Sequence, residues 1–151
     1  MSELFIRKSI EVDAPVDALW KVLTDNEFIP QYMFGCKAET DWKPGSPLEW
    51  FGAADGKLYV KGKLTTFEEP RLLEYTVIDP NSTIEDIPEN YLTMSFALVE
   101  RGANASTLEV AQGDFSKVAN GQKRYEDTIG GDDFVLQGIK KVAEAINVAS
   151  R

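Results

Sequence analysis

Side chains able to carry a reaction are few in this sequence. It contains no histidine, which excludes a Ser-His-Asp triad, a Cys-His dyad, an imidazole base and imidazole metal ligands. The single cysteine, Cys36, excludes an internal disulfide and a thiolate zinc cluster. No histidine or basic cluster stands beside it, so it reads as a structural thiol. Only oxygen ligands remain for a metal, and no calcium-loop spacing occurs; no cofactor is expected. Two carboxylate pairs invite acid–base work. Glu85-Asp86 lies in a polar loop where solvation accounts for it. Asp132-Asp133 begins a helix, where capping accounts for it, and adjacent helical residues do not face each other. Asp114 follows Gly113 at the end of a strand and is expected to shape a turn. Gly130-Gly131 lacks the Lys-Ser or third-Gly context of a nucleotide loop. What remains is a set suited to binding: Trp50, Tyr75 and Gln112, polar tips that need a partner if buried among apolar neighbours, with Met33 and Met94 as adaptable apolar lining.

The elements that would position this set follow from periodicity. Residues 3–13 carry Leu4, Ile6, Ile10 and Val12 on even positions, a half-buried strand. Pro15 opens a helix in which Val16, Leu19, Trp20 and Leu23 share one face; Trp20 is expected in the core. Asp25 or Asn26 caps a second short helix through Phe28–Met33, shortened or kinked by Pro30. Strands are expected over residues 36–42, 48–51, 57–67, 72–78, 91–100 and 106–115, with an exposed loop over 79–90. Gly62, in mid-strand, marks a bend or a close backbone approach. A short helix over 122–128 and a long one over 132–148, with Val135, Ile139, Val142 and Ile146 on one face, complete the chain. Alternation aims Leu48, Trp50, Leu58, Val60, Leu64, Leu73, Tyr75, Val77, Met94, Phe96, Leu98, Leu108, Val110 and Gln112 inward, and Lys57, Lys61 and Lys63 outward. The fold class is therefore α+β: a helix-grip arrangement, in which a curved antiparallel sheet wraps a long C-terminal helix and two short helices follow the first strand. No repeat or linker interrupts residues 1–151, so one domain is expected.

Particular residues sharpen this. Ala14-Pro15-Val16-Asp17-Ala18-Leu19-Trp20-Lys21-Val22-Leu23-Thr24-Asp25 resembles the opening of the START-like SRPBCC superfamily. Gly62-Lys63-Leu64-Thr65-Thr66-Phe67 before Pro70-Arg71-Leu72-Leu73-Glu74-Tyr75-Thr76, and Gly130-Gly131-Asp132-Asp133-Phe134-Val135-Leu136, resemble its domain named after the activator of the heat-shock chaperone ATPase. Such domains often have Trp where Phe134 stands, and His before Gly-Phe or Gly-Trp where this chain has Gln112. The resemblance implies a fold with an apolar cavity; it does not imply one activity, because such folds host binders, carriers, cyclases and co-chaperones.

Composition narrows the partners. The 151 residues hold 16 basic and 25 acidic side chains, for a net charge of −9, and 43% hydrophobic residues, as in a soluble globular chain. The acidic excess lies in the first hundred residues. Without a basic patch, neither nucleic acid nor an anionic membrane is an expected partner. No apolar run of about 18 residues spans a bilayer, and no secretory signal is visible; with one cysteine, the cytoplasm is the expected location. The reading is a binder of a small apolar or amphipathic molecule between sheet and long helix, lined by Met33, Trp50, Tyr75, Met94, Phe96, Gln112 and Phe134. A protein-interaction module of co-chaperone type is the alternative, and a cyclase or hydrolase using cavity Tyr, Glu or Asp a third reading; no catalytic residue is assigned.

Overall fold

The computed structural model describes residues 4–129 and 134–149, the side chains of Ile129, Phe134, Val148 and Ala149 excepted. Its strands are β1 (Ile6–Val12), β2 (Cys36–Glu39), β3 (Pro47–Gly52), β4 (Leu58–Glu68), β5 (Leu72–Val77), β6 (Leu92–Gly102) and β7 (Ala105–Gly113), and its helices are α1 (Val16–Thr24), α2 (Gly121–Ile129) and α3 (Phe134–Ala149). The strands form one antiparallel sheet in the order β1-β7-β6-β5-β4-β3-β2. Register shifts between Trp50 and Phe51 and between Leu64 and Thr66 interrupt its regular pairing, irregularities that bend and twist strands. Gly62 lies where β4 runs close to β5: a Cβ there would stand 1.6 Å from the Thr76 carbonyl oxygen. The expected close approach is real, and no residue with a side chain fits it.

Alternation along the strands and the stripes of α1 and α3 meet in one core. Leu19, Val22, Leu48, Leu64, Leu73, Leu108 and Ile139 are fully enclosed there, and Trp20 packs its ring edge against Phe67 at 5.2 Å. α1 starts after Pro15, whose carbonyl accepts the Leu19 N–H. At its other end, the Tyr32 hydroxyl donates to the Val22 carbonyl at 2.8 Å, satisfying one of the orphan acceptors of a last helical turn. α3 is tied to the β1–α1 link by Lys140 to the Glu11 carbonyl, by the Asp13 N–H to Glu144, and by the buried Asn147 to the Asp13 carbonyl.

Several boundaries differ from the sequence reading. The second short helix is a single 3-10 turn, Ile29–Gln31, with Pro30 inside it. β2 stops at Glu39, and Trp42 takes a left-handed backbone with φ 56°. β7 stops at Gly113; Phe115, fully buried, anchors a second small cluster with Ile6 and Leu92 beneath α2. Residues 79–90 end in a 3-10 turn, Pro88–Asn90, whose Asn90 is buried and receives the Ala119 N–H. On α3 the deepest row is Leu136, Ile139, Ala143 and Asn147, with Val135, Val142 and Ile146 on its half-buried flank. Small residues explain the rotation: Gly138 brings the helix so near Tyr32 that an added Cβ would lie 2.7 Å from the Tyr32 Cβ. Lys61, expected to face outward, is partly exposed and ion-paired with Asp86 of the 79–90 loop. The expected Asp132-Asp133 cap lies outside the described residues.

Candidate functional site

Strand pairing places the site residues in register. Ile6 pairs with Gln112, Gln112 with Met94 and Met94 with Tyr75, so β1, β7, β6 and β5 contribute one continuous rung. The next rung runs Lys8, Val110, Phe96 and Leu73. Directly opposed residues project to the same face. That face, the Trp50–Val60 pair of β3 and β4, Met33 after the 3-10 turn, Thr128 of α2 and Val135 and Leu136 of α3 line a half-open cavity of about 310 Å3. Met33, Trp50, Tyr75, Met94, Phe96 and Gln112 all line it. Phe134 opens α3, and its side chain lies outside the described residues.

The lining is mostly aliphatic and aromatic. Trp50, Tyr75 and Phe96 form an aromatic row, with ring centroids 5.9 Å and 6.1 Å apart. Its polar atoms are few: Lys8 has a partner, the Thr128 hydroxyl donates to the Arg124 carbonyl, and three others make no hydrogen bond with a described residue. The Tyr75 side chain is 95% removed from solvent (5% exposed), yet its hydroxyl makes no hydrogen bond with any described residue. The same is true of the Trp50 indole N–H and the Gln112 amide. None of these atoms is sealed off; the enclosed side-chain oxygen without a partner among the described residues is Asp114 Oδ2, at the end of β7. Burial pushes the Tyr75 phenol well above its ordinary value, so it stays a neutral donor. Tyr32, equally buried, shows the ordinary outcome: its hydroxyl has a carbonyl partner.

Other candidates resolve into structure. Cys36 is buried, and burial followed by the Asp55 charge pushes its thiol up, away from the reactive thiolate. Asp86 of the loop pair takes a Lys61 ion pair and the Tyr91 hydroxyl, which together hold its carboxyl below the usual range. Asp114 Oδ1 accepts from the Ser116 hydroxyl, the Leu4 N–H and the Ser116 N–H, and these bonds hold its carboxyl low; it organises a turn. Among the described residues no three His, Cys, Asp or Glu side chains assemble into a metal-binding group.

Sequence reasoning missed Lys8, Thr128 and Leu136 in the lining. A signal existed for Lys8: it shares even parity with Ile6 and Ile10, and its charge obscured that. Thr128 and Leu136 depend on how α2 and α3 dock, which no local pattern encodes.

This is the helix-grip class of fold, with a cavity between sheet and helices. Residues 13–144 match the family described as "Activator of Hsp90 ATPase homolog 1-like protein", and the chain belongs to that family. No curated protein matches it in sequence. A Cytophaga hutchinsonii protein of known solution structure is similar over 100% of both chains, with 31% identity and a TM-score of 0.71. An HSP90 activator from Plasmodium falciparum shares the fold at 16% identity and a TM-score of 0.67, over 92% of this chain and 95% of that one. The Aha1 dimer from Colwellia psychrerythraea shares it at 15% identity and a TM-score of 0.67, over 93% and 96%.

Proposed function

We propose that this protein, as one cytoplasmic domain, binds a small amphipathic molecule in the cavity between the sheet and α3. The observation that carries this reading is the Tyr75 hydroxyl, which opens onto a mostly apolar space and has no partner among the described residues. Polar groups inside a protein normally find a protein partner; this hydroxyl does not, and because it opens onto the space it costs the fold little and stays available to a ligand. A ligand with one or two polar atoms and an apolar body meets both the aromatic row and the unused donors. Native mass spectrometry of gently purified protein tests it. The expected result is a retained small molecule that a Met94→Trp variant loses; a cavity that takes up no amphiphile, added or retained, contradicts it.

A second reading, chaperone interaction, is favoured by the family description and by the relative described as an HSP90 activator. Its test is stimulation of a chaperone ATPase by the purified chain; no change in turnover at saturating chain removes it.

A further inference from the structure

A second space, of about 280 Å3, adjoins the cavity; Val60, Val77, Gln112 and Thr128 border both. Arg124, on α2, lines this second space and not the first. Its guanidinium is unusual in its partners. Nη1 donates to the carbonyls of Asn90, at 3.2 Å, and Ala119, at 3.5 Å. Among the described residues no carboxylate pairs with it, and Nε and Nη2 make no bond to protein. A half-buried cation without a counter-ion is costly, because desolvation penalises its charge. Burial is the cause that moves its pKa, downward, and no acid offsets it. Two carboxylates do border the space. Asp127 is paired with Lys123 at 3.0 Å, and Asp79 accepts the Asn81 N–H. Both are exposed at the rim.

The two main-chain bonds fix one edge of the guanidinium and leave the other edge as a planar fork. Such a fork matches an oxyanion in a bidentate manner. The rim carboxylates disfavour a doubly charged group and so select a singly charged one. Gln112, with its unused amide, stands between this fork and the apolar cavity. We infer that the ligand is an amphipathic carboxylic acid, its tail lying along Trp50, Tyr75 and Phe96 and its carboxylate held by Arg124. This rests on the binding reading above and adds the chemical class of the head group.

The test is calorimetric titration of the full chain with decanoate, decanol and decyl phosphate at neutral pH. A charge-assisted pair adds about 1.5–3 kcal/mol, so decanoate is expected to bind about tenfold or more tightly than decanol, with decyl phosphate weaker than decanoate. Arg124→Gln is expected to abolish the preference for the acid and leave decanol affinity unchanged. Equal affinity for acid and alcohol in the wild-type chain, or a preference that R124Q retains, overturns the inference while leaving the cavity reading in place. Phosphate binding more tightly than carboxylate overturns it too. If none of the three binds, both readings fall. Should R124Q not fold, the Arg124 Nε–H resonance of the wild-type chain decides. It is expected to shift with decanoate and not with decanol, and its failure to shift under decanoate overturns the inference.

Discussion

Two buried tyrosines make a matched experiment. Tyr32 is 3% exposed and Tyr75 5%, so removing either hydroxyl by Phe substitution changes burial almost equally. Their partners differ. The Tyr32 hydroxyl holds the Val22 carbonyl near the end of α1 at 2.8 Å; Tyr32→Phe removes that bond and strands the carbonyl. The net value of a hydrogen bond is about 0.5–1.5 kcal/mol, and an orphaned buried acceptor raises the cost toward about 1–3 kcal/mol. Tyr75→Phe breaks no bond to a described residue and orphans none of their groups. Its stability is expected within about 0.5 kcal/mol of wild type. Urea unfolding with a common m-value reads both differences. The same Tyr75→Phe protein is expected to bind its polar-headed ligand more weakly, since the donor served the ligand and not the fold. A loss for Tyr75→Phe as large as for Tyr32→Phe would mean that the hydroxyl has a structural partner, and the argument from the unused donor would fail.

Met94→Trp is expected to fill the cavity: ligand uptake is lost, while the stability change stays below the roughly 1–3 kcal/mol of an overpacked core, as chemical unfolding and ligand titration together would show. Gly138→Ala is expected to lower Tm, because the helix-propensity gain of about 1 kcal/mol is outweighed by the clash with Tyr32, 2.7 Å from the new Cβ; a raised Tm would show that α3 can yield there. The Asp114 carboxyl is held below its unfolded value by the Ser116 hydroxyl and by the Leu4 N–H. Its contribution is therefore present above the unfolded pKa, about 4, and lost as pH falls through the lower folded value. Acid unfolding followed by circular dichroism is expected to be shallower in Asp114→Asn.

Much of the site was legible because a strand has a strict two-residue period. Trp50, Tyr75, Met94, Phe96 and Gln112 each sit on the apolar parity of their strand, and antiparallel pairing then carries them to one face. The same rule hid Lys8, where a charge stood on the inward parity, and it does not announce that the outward Lys61 meets Asp86 from a distant loop. Helix faces were less legible. The α3 stripe was read from its β-branched residues: Ile139 is fully buried and Val135, Val142 and Ile146 pack against the core, while Leu136 and Ala143, also inward, were not read; Gly138 lets that face approach Tyr32 closely. Trp42 left its strand through a positive φ that its residue type does not announce. Arg124 was unreadable in principle: nothing local shows that a helical arginine will meet main-chain carbonyls and, among the described residues, no acid.

The central claim is that an apolar-bodied molecule occupies the space beneath the sheet. Met33 and Met94 are two of the chain's three methionines, and both line that space. Methyl-labelled methionine NMR during titration with decanol therefore reports from inside it. The account predicts that both methyl resonances shift along one saturable curve, and that Met94→Trp removes the response at Met33. Methyl resonances that stay fixed at saturating decanol would contradict it.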